Sequence, residues 1–401
     1  MAPVVFLLSR CLHPGSGESV TDNRYSAFTG SAACASCHPG IYQQFVHTAH
    51  FLDSRPARAP FVNGSFSSDS NRLVYANGST LMMEHAADGF FQTLWRSGKQ
   101  VRRTGFGIVI GSGKKGQSFL YWEGDELFQL PASYFTPTHS WCNSPGFPID
   151  SPLFNRRVSS FCLECHTTYA QAVFHSPDES GDFFDSSRMC YGIGCEKCHG
   201  PGRQHVMHYE QATAAGGNTD IVNPRSFSRQ QKLDLCALCH SGRRIPLKRA
   251  FSFQSGDTLD QFSEPAFLPE NIATLDVHAN QYGLLTSSKC FMKSFMDCTS
   301  CHDPHQQEAG NIQVFSQRCL SCHNGADHPF CSFRGLSSGK LKEDCVDCHM
   351  PELPSGAIIL QMTGAKQDIA NLVRTHRIAI YPDYTSAYIK NIRHLPSKPG
   401  N

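Results

Sequence analysis

Cys195-Glu-Lys-Cys198-His199-Gly-Pro-Gly-Arg-Gln-His205 is the stretch of the 401-residue chain whose reading decides the rest. Two cysteines three positions apart are followed at once by histidine. The same C-x-x-C-H pattern recurs as Cys34-Ala-Ser-Cys37-His38, Cys162-Leu-Glu-Cys165-His166 and Cys236-Ala-Leu-Cys239-His240. Three further copies are Cys298-Thr-Ser-Cys301-His302, Cys319-Leu-Ser-Cys322-His323 and Cys345-Val-Asp-Cys348-His349. On one helical turn, residues i and i+3 offer both thiols to one edge of a flat ring, and the histidine at i+4 lies on the same face. This is the attachment signature of c-type haem, in which the thiols bond two vinyl groups and the imidazole takes the iron. A single isolated copy would leave zinc or dithiol chemistry open. Seven copies, each with its histidine, do not fit a zinc ribbon, and the gap from Cys198 to Cys236 is long for pairing the third and fourth as knuckles. The expectation is seven covalently bound haems c, with those seven histidines as proximal ligands.

The composition agrees. Lys+Arg 35 against Asp+Glu 34 gives a net charge of +1, so nothing points to nucleic acid or an anionic membrane as partner. No run reaches the roughly 18 apolar residues of a membrane span. Charged residues make up only 17 %, which argues against disorder. Five cysteines lie outside the motifs: Cys11, Cys142, Cys190, Cys290 and Cys331. They read as buried thiols or as disulfides of an oxidising compartment.

An iron held by one histidine is either closed by a second axial ligand, which suits electron transfer, or open, which suits gas binding or catalysis. The histidines outside the motifs therefore decide function. His305 stands three residues after His302, a span of at most roughly 10 Å. It cannot cap the iron that His302 holds, so as a ligand it must reach a neighbouring haem. The Gly-Pro-Gly after His199 reverses the chain and makes His205 a bridge between two haems in the same way.

Residues 39–161 hold no motif. Within them Leu73–Tyr75, Phe90–Leu94, Gly107–Ile110, Ser118–Trp122 and Glu126–Leu130 alternate as strands of a meander. Gly111-Ser-Gly113-Lys-Lys-Gly116 spells G-x-G-x-x-G, but a strand follows it, so it reads as a hairpin and not as a dinucleotide site. Residues 158–350 hold six motifs, too dense for an ordinary apolar core between them. The expected fold is mostly α and irregular, with haems forming the core and a β-rich insert between motifs 1 and 2. The expected division is 1–30, an N-terminal arm or remnant leader; 31–55, the first haem segment; 56–157, the β-rich insert; 158–382, a six-haem domain; and 383–401, a C-terminal tail.

In order along the chain, several segments resemble the multihaem c-type cytochromes related to the tetrahaem carriers of nitrifiers and to octahaem enzymes. They are the first motif with Thr48-Ala49-His50, the third with Gly-Pro-Gly and His205, and Asp276-Val-His278 with Asn280-Gln281-Tyr282-Gly283. The fifth motif with Asp-Pro-His305, the seventh with Met350-Pro351, and Thr375-His376-Arg377-Ile378 before Tyr381-Pro382 complete them. The resemblance implies distal ligands at His50, His205, His278, His305, His328 and His376. His47, one turn before His50, ranks first for the seventh, ahead of His175 and His13.

The nitrite-reducing relatives use C-x-x-C-K at the catalytic haem, and this chain has none. The expectation is thus an exported, periplasmic or extracellular heptahaem cytochrome that passes electrons along bis-His haems to other redox proteins, without substrate chemistry of its own. Two other readings stay open. One is a filament (nanowire) subunit that self-associates through His13 or His394. The other is an oxidoreductase acting on nitrogen or sulfur oxyanions at an open haem.

Overall fold

The computed structural model describes residues 23–175, 182–211, 221–266, 275–325, 330–362 and 369–394. Antiparallel strands dominate its first half: β1 (Ser54–Pro56), β2 (Arg72–Val74), β3 (Thr80–Ala86), β4 (Gly89–Arg96), β5 (Lys99–Gly105), β6 (Ile108–Ile110) and β7 (Gly116–Glu123). They continue as β8 (Glu126–Gln129), β9 (Ala132–Phe135), β10 (Ser140–Asn143), β11 (Arg156–Arg157), β12 (Thr167–Val173) and β13 (Phe183–Tyr191). Strands β2 to β5 form a four-stranded meander. The larger, nine-stranded sheet runs β1-β6-β7-β8-β13-β12, with β11 on β8 and the β9–β10 pair on β7.

Strand β7 shows why these residues form a two-sided wall. Successive side chains of a strand point to opposite faces. Phe119 and Tyr121 enter a core shared with Leu81, Met83, Phe90, Leu94 and Trp141. Leu120, between them, enters a second core with Leu127, Leu163, Tyr169 and Phe184. Buried Gln92 of β4 clamps the meander to the larger sheet: its Nε2 donates to Ala132 O at 2.8 Å and its Oε1 accepts from Ala132 N at 3.0 Å. The glycine-rich segment is the β6–β7 hairpin, with Ile110 opposite Ser118.

The mostly α architecture expected from the motif density is therefore wrong: the molecule is β-rich. Strands also return late in the chain, as the pairs Arg244–Pro246 with Ser263–Pro265 and Glu352–Leu360 with Ile369–Arg374. The reason is local. A haem motif needs only a short helix, such as Ser160–His166 or Cys195–His199, so dense motifs do not make long helices. The larger sheet, moreover, does not stop at residue 157. Strands β12 and β13 extend it and bracket the path from motif 2 to motif 3. Among the described residues no helix is long and apolar enough to cross a membrane.

Candidate functional site

Cysteine is ordinarily among the most buried residue types. Here all fourteen motif cysteines are half-buried or exposed, and so are the seven motif histidines. The intervening residues do the reverse: Leu163, Glu164, Glu196, Ala237 and Val346 are buried. Each of these turns is thus anchored through its middle and presents two thiols and an imidazole outward. That is the polarity a group bonded to the thiols requires.

The imidazoles are arranged to match. Rings of His199 and His305 lie 6.1 Å apart between centroids, at 16°. His302 and His376 are 6.1 Å apart at 26°, and His240 and His50 are 6.0 Å apart at 66°. Each pair joins a motif histidine to one outside the motifs. The spacing lies at the long end of the range for contact between aromatic rings. A metal about 2 Å from each of two imidazole nitrogens, with ring centres roughly 1 Å further back, requires about 6 Å. Next to motif 2, a cavity of about 470 Å³ is lined by Cys162, His166 and His278, by Leu120 and Phe135 of the sheet, and by Arg156 and Arg157. An apolar wall, two imidazoles and a thiol suit a porphyrin, while Arg157 is paired with Glu126 and Arg156 donates to Pro145 O at 2.7 Å.

Cysteines of different motifs also touch. Cys34 lies close enough to Cys195, Cys165 to Cys239, Cys236 to Cys298 and Cys319 to Cys345 for each thiol to shift the proton affinity of its partner. Cys198 lies within electrostatic range of Cys236, and Cys301 within range of Cys319.

Residues 151–200, which carry motifs 2 and 3 and the two cavity arginines, match the family of cytochrome c554 and c-prime. The chain is 23 % identical over 204 residues to the multiheme cytochrome MtrA of Shewanella baltica, covering 49 % of this chain and 54 % of that protein. It is 21 % identical over 371 residues to the dissimilatory sulfite reductase MccA of Wolinella succinogenes, covering 80 % of this chain and 47 % of that one. The chain thus spans about half the length of the curated relatives it matches. In structure it resembles the outer cell wall cytochrome OcwA, with a TM-score of 0.55 at 17 % identity, over 90 % of this chain and 81 % of that one. These likenesses, together with the seven motifs, support a place for the chain among the multihaem c-type cytochromes.

The likenesses support covalently bound haem c, for which imidazoles are the candidate axial ligands. Iron needs a neutral imidazole with a free lone pair. Burial, the largest cause in each case, lowers the proton affinity of His50, His199, His240, His278 and His302. Burial, with His302 nearby, takes His376 down to about 4. His166 departs from this pattern. Burial would lower it too, but the hydrogen bond and charge of Asp53 outweigh that and raise it.

The segment carrying His50 and Asp53 is fixed against the approach to motif 3. Ile193 N donates to His50 O at 2.9 Å and Gly192 N to Ser54 Oγ at 2.8 Å. Gly192 has φ +67°, and a Cβ there would run into the Phe51 carbonyl, so only glycine fits.

The remaining candidates are placed as follows. His205 is half-buried on the helix Arg203–Glu210, and its Nδ1 is buried without a hydrogen-bond partner. His208 on the same helix has a buried Nε2 in that condition, a feature the sequence did not signal. His47 is exposed and has no ring contact among the described residues. His175 is bonded through Nε2 to Asp125 at 2.6 Å. His328, His13 and Cys11 lie outside the described residues, as does the side chain of His394. The other cysteines are free: Cys142 is buried, with its thiol pushed up to about 12 by burial, Cys190 and Cys290 are half-buried, and Cys331 is exposed.

Sequence reasoning passed over Glu196, which lies inside motif 3 between the two cysteines. Its carboxylate accepts from Thr29 N at 2.9 Å, Gly30 N at 2.8 Å and Gly202 N at 2.7 Å. One buried group thus ties motif 3 to the chain entering motif 1 and to the start of the His205 helix. Glu196→Ala should lower the unfolding free energy of the holoprotein by about 3 kcal/mol, because one buried and two half-buried donors lose their acceptor. Glu196→Gln, which keeps one oxygen, should cost roughly half that. Denaturant unfolding followed in the Soret band checks both.

Proposed function

We propose that each of the seven motifs carries one haem c and that the protein conducts electrons along them. The observation that supports this reading is the contact between cysteines of different motifs. A thiol bonded to a porphyrin edge brings that edge to wherever the thiol sits, so touching cysteines mean neighbouring haems. The contacts join motif 1 to 3, 4 to 5 and to 2, and 6 to 7; the electrostatic proximity of Cys198 to Cys236 and of Cys301 to Cys319 links these groups into a line from motif 1 to 3, 4, 5, 6 and 7, with motif 2 as a side branch at motif 4. The protein's part is to set spacing, burial and axial ligation.

In this reading His50 caps the His240 haem, His305 the His199 haem, His376 the His302 haem and His278 the His166 haem. Covalent haem attachment implies export, so the site of action is periplasmic or extracellular, with other redox proteins as partners. Both ligands being histidine favours low potentials relative to His/Met sites. Intact mass should show seven added porphyrins. Low-temperature electron paramagnetic resonance of the oxidised protein should show low-spin ferric haem at each. Fewer porphyrins, or zinc in their place, would sink the proposal.

A further inference from the structure

The Nδ1 partners of the motif histidines are not alike. His199 Nδ1 faces Val222 O at 2.9 Å, His349 Nδ1 faces Ala379 O at 2.9 Å, and His240 Nδ1 faces Gln281 Oε1 at 3.2 Å. All three oxygens are neutral. His166 Nδ1 instead meets the Asp53 carboxylate, at 2.8 Å. His305, in the distal set, stands 3.7 Å from Asp303, beyond a hydrogen bond. The cation nearest Asp53 in sequence, Arg55, spends its Nη2 on Leu52 O at 2.7 Å. Asp53 itself is held by its backbone, which accepts from Gly111 N in the β6–β7 hairpin. The same short segment thus sends His50 toward the His240 iron and Asp53 to the back of His166.

A carboxylate accepting from the far nitrogen of a ligating imidazole draws the proton off that nitrogen and makes the ligand more basic. A more basic ligand, with negative charge behind it, stabilises ferric over ferrous iron. We infer that Asp53 holds the haem at motif 2 at a lower reduction potential than the haems of His199, His240 and His349, so that motif 2 is an entry branch from which electrons run downhill into the line. This inference rests on haem c being bound at motif 2.

The step is a single-electron exchange. Ferrous iron at motif 2 is oxidised as ferric iron at motif 4 is reduced, and no proton or bond changes hands. The contact between Cys165 and Cys239 marks where those two porphyrin edges meet. Asp53 is a positioning residue here, since it acts through His166 and does not touch iron.

The test is spectroelectrochemical titration of the holoprotein, wild type against Asp53→Asn and Asp53→Glu, with haem content fixed by intact mass and by mass of the peptide spanning residues 160–166. Asn removes the charge and weakens the hydrogen bond, so one low-potential component should move up while the other components stay. Glu keeps the charge and loosens the geometry, so the same component should move up by a smaller step. If Asn prevents haem loading, the Glu variant decides by the same criterion. Components that all stay put in both variants at full haem content overturn the inference, and so does a uniform displacement of every component. A 160–166 peptide without the mass of haem overturns instead the reading on which it rests.

Discussion

Protein made without haem attachment should keep slow amide exchange in β3, β4 and β7 and lose it across residues 281–349. The two regions are built differently. The β half has a core of its own, from Leu73 to Phe154, with Leu81, Met83, Phe119 and Leu130 fully buried and Gln92 pairing both of its amide atoms across the sheets. Residues 281–349 have short helices instead: Gln281–Thr286, Lys289–Met292, Ile312–Leu320, Ser338–Glu343 and Cys345–His349. Helices under about 12 residues are marginal alone in water. Their buried apolar residues are few, chiefly Leu284, Phe291 and Val346. What remains for them to pack on is porphyrin, so removing it should unfold this part as metal removal unfolds small metallo-domains. Hydrogen–deuterium exchange of holo- and apoprotein, the latter kept reduced so that touching cysteines such as Cys319 and Cys345 do not oxidise, measures this directly. Protection in 312–320 and 345–349 should fall by about a hundredfold or more. Unchanged protection there would mean that the polypeptide alone supplies that core.

The same contrast explains what could be read in advance. Seven turns of C-x-x-C-H are legible because the chemistry dictates both residue type and spacing. Strands such as Ser118–Trp122 are legible because apolar and polar residues alternate. Strand β3, Thr-Leu-Met-Met-Glu-His-Ala, is not: Leu, Met, Glu and Ala favour helix, yet Leu81 and Met83 are buried on one face in period two. Strand β5, Lys-Gln-Val-Arg-Arg-Thr-Gly, carries almost no apolar signal. It is held by pairing with β4 and by Arg103, which reaches Glu84 at 3.4 Å and stacks over Phe91. The extent of β12 and β13 is hidden for another reason: they lie between two short helical haem motifs, whose density masks the strands that join them. Asp53 could not be found from sequence at all. It lies far from His166 along the chain, and nothing in Phe-Leu-Asp-Ser announces that its carboxylate will meet an imidazole. Ligand spacing within a motif is local information, whereas the partner of its second nitrogen is a property of the fold.

The second large effect is expected from His305→Met. His302 and His305 lie three residues apart yet face different partners, His376 and His199 respectively. The loop that separates them is braced. Asp303 accepts from His305 N at 2.9 Å, Glu308 accepts from Asp303 N at 3.1 Å, and Arg318 joins Glu308 to the Cys301 carbonyl. Its hydrogen bond to Arg318 is the largest cause holding the Glu308 carboxyl below its ordinary range, so this brace persists well into mildly acid solution. A methionine on so fixed a loop should reach the same iron. Changing one axial histidine to methionine raises a haem potential, here by on the order of 0.1 V or more. In the proposed order motif 3 stands between motifs 1 and 4, so the altered haem would become a well in the middle of the line. At about 59 mV per tenfold for one electron, escape from it toward motif 4 should slow by roughly fiftyfold. Spectroelectrochemistry should show one component displaced upward, and stopped-flow reoxidation of the reduced protein should become biphasic, with one electron retained in the slow phase. His305→Ala should leave that iron open and add a high-spin signal. If neither variant alters any haem, His305 caps no iron, and the chain of contacts from motif 1 to motif 4 has to be redrawn without it.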